Sequence, residues 1–190
     1  QEDVTFKDLA LVIIDEQHRF GVHQRLLLNE KGQTADMLVM TATPIPRTLT
    51  LTVYGDMEVS ILNEKPAGRQ PIDTRLVSDE RLEEVLQGLQ RKIETGDRIY
   101  WVCPLVEESE KLDLAAAEER FAMMSHRFKR VGLLHGRMKP AEKQAVMSLF
   151  AQGQMGVLVS TTVIEVGVDV PNASLMVVEH AERFGLSQLH

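Results

Sequence analysis

Leu9-Ala10-Leu11-Val12-Ile13-Ile14 runs straight into Asp15-Glu16-Gln17-His18. An unbroken apolar run rich in β-branched side chains predicts a buried parallel strand. Two adjacent carboxylates and an imidazole follow where that strand should leave its sheet. In open α/β sheets, ligands bind outside the carboxyl ends of the strands. An Asp there can hold Mg2+ on the phosphates of a nucleotide, and a Glu beside it can orient a water for attack on the γ-phosphate. The D-E-x-H string therefore reads as a nucleotide-hydrolysis signature. Its bland counterpart is a polar turn, since Asp-Glu commonly follows an apolar strand.

Outward from this run the chain alternates strands and helices. Met37-Leu38-Val39-Met40 is a second apolar run, ending in Thr41-Ala42-Thr43-Pro44. Pro44 and Pro46 delay regular helix, which resumes from about Arg47 to Tyr54 and stops at Gly55. A short strand is expected near Glu58 to Leu62. Asn63 to Pro71 holds Pro66, Gly68 and Pro71 with charges between them. That composition reads as a linker, a domain boundary and the preferred site of proteolytic cleavage.

Beyond the linker, Ile72 to Val77 reads as a strand. Ser78 can cap a helix in which Leu82, Val85, Leu86, Leu89 and Ile93 follow helical spacing and Gly96 is the stop. Arg98 to Cys103 is a strand, and Ser109 to about Phe128 a charged helix. Val131 to Leu134 is a short strand closing on His135-Gly136. Pro140 suits the first turn of a helix burying Ala145, Val146, Leu149 and Phe150 and stopping at Gly153. Met155 to Ser160 and Leu175 to Val178 complete the strands. Strands separated by helices of this length imply α/β architecture, with parallel sheets and right-handed crossovers. There is no internal repeat, low-complexity segment or heptad run.

The 190 residues suit one domain or two small ones, and 44% hydrophobic with 26% charged residues is ordinary for a globular chain. No apolar stretch approaches the roughly 20 residues of a membrane span, and residues 1–5 lack the features of a signal peptide. Cys103 is the single cysteine, which excludes an internal disulfide and fits a reducing cytoplasm. Following Ile99-Tyr100-Trp101-Val102, it reads as a small buried strand-end residue rather than a nucleophile. The net charge of −7 gives no global basic field to grip nucleic acid. A local basic patch could form from Arg127, Lys129, Arg130, Arg137 and Lys139, although such runs are usually a solvated face. His18 and His23, or His126 and His135, lack zinc-site spacing, and no Gly-x-Ser-x-Gly elbow is present.

Three strands end in polar tips: Asp15-Glu16-Gln17-His18, Thr41-Ala42-Thr43 and Ser160-Thr161-Thr162. One such tip is a helix cap; three on one alternating chain suggest a shared cleft. Their hydroxyls can bond phosphate oxygens or the carboxylates of Asp15 and Glu16. Further on, Glu165 interrupts an apolar stretch. Gly167 permits close backbone approach, and Asp169 can reach a ribose hydroxyl or a cation.

The strings DEQHRFGVHQR, TATPIPRT, WVCPLVEESE, HGRMKPAEKQAVM, STTVIEVGVDVPNASL and ERFGLSQLH, in this order, cover nearly the whole chain. They resemble the motor core of superfamily 2 helicases, and within these the RecG type. The transcription-repair coupling translocase is a near relative sharing TATPIPRT and the FGLxQLH ending, but it usually has Glu where Gln17 stands. DEQHRFGVHQR and HGRMKPAEKQAVM favour the RecG type. The resemblance implies RecA-like parallel sheets flanked by helices. Residues 1–65 would be the C-terminal part of a first lobe and residues 66–190 most of a second. It also implies ATP and Mg2+ as cofactors, branched or duplex DNA as the partner of the full-length protein, and a bacterial cytoplasmic setting.

Roles follow from the same resemblance. Asp15 would coordinate Mg2+ and Glu16 would activate the attacking water. Gln17 and His18 would couple the phosphate site to the second lobe, and Thr41 and Thr43 would link hydrolysis to DNA movement. Thr161 and Thr162 would contact the DNA backbone. Gly167 and Asp169 would line the nucleotide cleft, and Gln188 would open the last helicase motif. The 190 residues contain no Gly-x-x-x-x-Gly-Lys-Ser/Thr phosphate loop, and they stop at His190, before the arginine-finger segment that the resemblance implies. The expectation is a fragment that does not hydrolyse ATP alone, with a non-catalytic motor-like interaction module as the rival reading.

Overall fold

The computed structural model describes Val4, residues 6–16, 35–41, 58–64, 71–104, 110–161 and 170–185, and Leu189. The chain divides into two compact units, Gln1–Arg69 and Gln70–Leu189.

In the first unit, β1 (Leu11–Ile14) and β2 (Asp36–Val39) pair in parallel, from Leu11 opposite Asp36 to Ile14 opposite Val39. The backbone ladder continues past both ends: Asp36 N donates to Ala10 O, and Met40 N to Ile14 O at 2.8 Å. The expectation of a fully buried β1 is corrected. Val12 and Ile14 are buried, but Leu11 and Ile13 are 51% and 57% exposed. Side chains alternate across a strand, and among the described residues only one face of this ladder is covered. The strand expected near Glu58 to Leu62 is also corrected. Those residues are irregular, with Val59, Ile61 and Leu62 exposed. The expected helix at Arg47 to Tyr54 lies outside the described residues.

The second unit is a four-stranded parallel sheet of order β4-β5-β3-β6, built from β3 (Arg98–Val102), β4 (Val131–Leu134), β5 (Val157–Ser160) and β6 (Ala173–Val178). Helices α1 (Leu82–Glu94) and α2 (Glu110–Arg127) cover one face. There Leu86 and Leu89 of α1 and Ala117 and Met124 of α2 pack on Ile99, Trp101, Val157 and Val159. Helix α3 (Pro140–Ala151) covers the other face, with Met147 and Phe150 against Tyr100, Leu134 and Leu158. The period-two alternation of β3 and β5 thus feeds two separate cores. The opposite placement of α2 and α3 follows from handedness. The chain passes from β3 out to β4 and then back to β5, and right-handed crossovers in opposite directions lie on opposite faces.

Local chemistry sets the boundaries. Ser78 accepts a bond from Glu80 N at the start of a 3-10 turn, Asp79–Arg81, that leads into α1. Gly96, at φ 96°, ends the helix. Pro140 occupies the first turn of α3, where its missing N–H costs nothing, and Glu142 accepts from Lys139 N at 2.8 Å. After α3, Gly153 has φ 78° and a Cβ there would come 2.9 Å from Arg98 Nη2. Arg98 Nη1 meanwhile donates to Ala151 O at 2.6 Å, tying the helix end to the start of β3.

Two readings of this unit are corrected. Ile72 to Val77 is not a strand; it is irregular, with Ile72 and Leu76 exposed. β-propensity without a neighbouring edge to pair with makes no ladder. In α3 the buried residues are Met147 and Phe150, whereas Ala145 is exposed and Val146 and Leu149 are half-buried. The helix is apolar around much of its girth, so its spacing left the buried stripe ambiguous.

Candidate functional site

The carboxyl end of the β1–β2 ladder carries Asp15, Glu16 and Thr41. Register places them together: Ile14 pairs with Val39, and Met40 N bonds Ile14 O, so both chains leave the sheet side by side. Asp15 is exposed, while Glu16 and Thr41 are half-buried. Glu16 sits in the left-handed region at φ 49°, and its N–H donates to Asp15 Oδ1 at 2.9 Å. That conformation costs a non-glycine residue roughly 1 kcal/mol or more, so the surrounding contacts hold the turn. An exposed carboxylate beside a second carboxylate on a constrained turn is a donor set that suits a hard divalent cation and a positioned water.

In the second unit, Ser160 and Thr161 leave β5 beside Leu134 and His135 leaving β4. Ser160 pairs with Leu134, and Thr161 N donates to Leu134 O at 3.2 Å. Ser160 Oγ, Thr161 Oγ1 and His135 Nδ1 are buried and have no hydrogen-bond partner among the described residues. Burying such atoms unpaired costs about 1–3 kcal/mol each, so this edge is built to bond something. Two hydroxyls and an imidazole, which donates or accepts according to tautomer, can take the oxygens of a phosphate. In the sequence His135 stands out only as a metal-ligand candidate without a partner. Its signal was its place at a strand tip, like the other three tips.

Gln17, His18, Thr43, Thr162, Gly167, Asp169 and Gln188 lie outside the described residues. The candidate basic run does not form one patch. Lys129 and Arg130 precede β4, whereas Arg137 and Lys139 follow it. Arg127 is committed to Glu83 of α1 through bonds of 2.9 and 2.7 Å. A strand separates the two groups, which proximity in sequence concealed.

A further polar cluster caps the α2 face of the sheet. Arg120 of α2 pairs with Glu179, Nη2 to Oε1 at 2.5 Å. Its guanidinium lies 5.6 Å from the centre of the Trp101 ring, and the Cys103 thiol donates to Glu179 Oε2 at 3.7 Å. Burial, and then the negative charge of Glu179, pushes the Cys103 thiol up to about 12, with the Arg120 charge opposing. The lone cysteine is thus a buried strand-end residue, as its sequence setting suggested. Native protein at pH 8 should react with iodoacetamide far more slowly than urea-unfolded protein. Above the ordinary thiol range the unfolded state loses this proton and the folded state keeps it. Cys103 therefore lowers stability as pH rises from about 9 towards 12. Alkylation at equal rates in both states would show the thiol to be accessible.

Comparison with known proteins extends these observations. The model of the helicase conserved C-terminal domain matches residues 79–190. The whole chain is 57% identical to the ATP-dependent DNA helicase RecG of Pasteurella multocida and 56% identical to that of Escherichia coli strain K12. It spans 28% of the length of each. Among solved structures, RecG bound to a three-way DNA junction matches all of the chain and 24% of its own length, at 46% identity and a TM-score of 0.70. A single-residue variant of Saccharomyces cerevisiae Dbp5 bound to RNA and ADP BeF3 matches 88% of the chain and 43% of its own, with a TM-score of 0.61 at 17% identity, a likeness of fold alone. These neighbours identify the parallel sheets flanked by helices as RecA-like. The chain belongs to the family of the helicase conserved C-terminal domain, and over its whole length it is similar to RecG helicases.

Proposed function

We propose that this chain is part of the motor of an ATP-dependent DNA helicase of the RecG type, which remodels forks and Holliday junctions in recombination and repair. The observation that carries the reading is the likeness to RecG along the entire chain, at 57% identity. That likeness does not favour the transcription-repair coupling translocase or a non-catalytic module. Residues 1–65 would form the C-terminal part of a first RecA-like lobe and residues 66–190 most of the second.

The residues at the two sheet edges fit these roles. Asp15, exposed at the carboxyl end of β1, would hold Mg2+ on the phosphates of ATP. Bound there, the cation would neutralise charge developing on the phosphates. Glu16 would orient the attacking water and accept its proton. Gln17 and His18 would carry the state of that site to the second lobe. Thr41 and Thr43 would link it to movement along DNA. Thr161 and Thr162 would bind the DNA backbone, for which the unpartnered Thr161 hydroxyl is supporting geometry. Gly167, Asp169 and Gln188 would line the nucleotide cleft. No helix among the described residues is long and apolar enough to cross a membrane. The likeness to RecG helicases of bacteria supports work in the bacterial cytoplasm.

The direct test is ATP hydrolysis by the full-length protein with and without a three-way DNA junction. Hydrolysis should rise when the junction is added, and the junction should be unwound in an ATP-dependent manner. Hydrolysis indifferent to DNA would overturn the reading.

A further inference from the structure

From the cluster above β3, we infer that Arg120 and Glu179 are a positioning pair, fixing where the chain leaves β6 towards Gln188. The inference rests on the helicase reading but concerns residues outside the helicase motifs. Among the described residues β6 is bonded to β3. Its ladder ends with Glu179 N donating to Val102 O at 3.0 Å. At the next residue the backbone swings into the left-handed region, with His180 at φ 49° and ψ 50°. A 3-10 turn, Ala181–Arg183, follows. The segment that leads to the last helicase motif therefore starts at a strand end that turns sharply just after Glu179.

Arg120 reaches this strand end from α2 and restrains it through Glu179. Its neighbours on the same helical face, Ala117 and Met124, are wholly buried in the core, so the base of the side chain is fixed. The guanidinium is held over the fully buried Trp101 ring and close to Met123 Sδ, at 3.1 Å. Glu179 is held in turn by Arg120 on one oxygen and by the Cys103 thiol on the other. Arg120 and Glu179 side chains are only 24% and 16% exposed. A half-buried ion pair is a poor source of stability, because desolvation offsets the attraction. It is a good source of direction, because the planar guanidinium has one arrangement that serves both the ring and the carboxylate.

The test uses the full-length protein and three variants, Arg120→Met, Glu179→Gln and the two combined. Either single variant leaves one half-buried partner unpaired and can lose stability for that reason alone. The double variant removes both charges, so its unfolding midpoint and its affinity for a three-way DNA junction should stay near wild type. Its kcat for ATP hydrolysis at saturating DNA should nevertheless fall about tenfold or more, the scale on which a small misplacement far from the chemistry costs rate. KM for ATP should change less than kcat. A folded double variant with kcat within about twofold of wild type would overturn the inference and leave the pair purely structural. Should the double variant fail to fold, Arg120→Lys decides the matter. It keeps the charge and loses the planar fit, so a folded protein with severalfold lower kcat supports positioning, and unchanged kcat overturns it. Failure of the helicase reading would be separately visible, as absence of DNA-stimulated hydrolysis in the wild type.

Discussion

Replacing Glu16 by Gln in the full-length protein is expected to spare ATP binding and to cut turnover about 10²- to 10⁴-fold, the range for losing a general base. Gln keeps the size and hydrogen-bonding reach of the side chain but cannot take a proton. The geometry makes the substitution clean. Glu16 is held in the left-handed region with its N–H on Asp15 Oδ1, a backbone contact that Gln retains. Steady-state hydrolysis, together with binding of a fluorescent ATP analogue, separates the two effects. Turnover within about threefold of wild type would make Glu16 a structural turn residue and remove the proposed base. Loss of analogue binding along with turnover would instead mean that the carboxylate serves the nucleotide's cation.

Phe150→Ala should destabilise the second unit by about 3–5 kcal/mol, since truncating a fully buried aromatic forfeits its transfer energy and leaves a cavity. Phe150 has no exposed surface. Its ring stands 4.8 Å from that of Tyr100 at 58°, a tilted arrangement that favours aromatic pairs. It also shares its core with Leu134 of β4 and Leu158 of β5, the strands that run out at His135 and at Ser160 and Thr161. A loss of this size is a large part of the roughly 5–15 kcal/mol that holds a domain folded. The thermal midpoint should fall by more than about 10 °C. Ala145→Ser, on the exposed side of the same helix, should shift it little. Equal effects at the two positions would mean that the buried face of α3 is misassigned.

Much of the α/β pattern was legible because it is written locally. The apolar runs at Leu11–Ile14, Arg98–Val102, Val131–Leu134 and Val157–Ser160 became strands. Ser78, Gly96, Pro140 and Gly153 became caps and stops. Glycine's tolerance of positive φ and proline's missing donor act within a few residues, so no tertiary knowledge is needed to read them. The carboxylates and hydroxyls of three strand tips were legible for the same reason: each follows its own strand without a break.

What the tertiary structure alone decided was pairing and coverage. Ile72 to Val77 has the composition of a strand and is none, because a strand exists only where another edge accepts its hydrogen bonds. Leu11 and Ile13 are as apolar as Val12 and Ile14 and are exposed, because burial depends on what lies over the face. His135 joins Ser160 and Thr161, and Arg120 joins Glu179, through sheet order and a helix packed across it. The basic run is divided by β4 in the same way. These are contacts between residues far apart in the chain, and a sequence carries them only through the fold it makes.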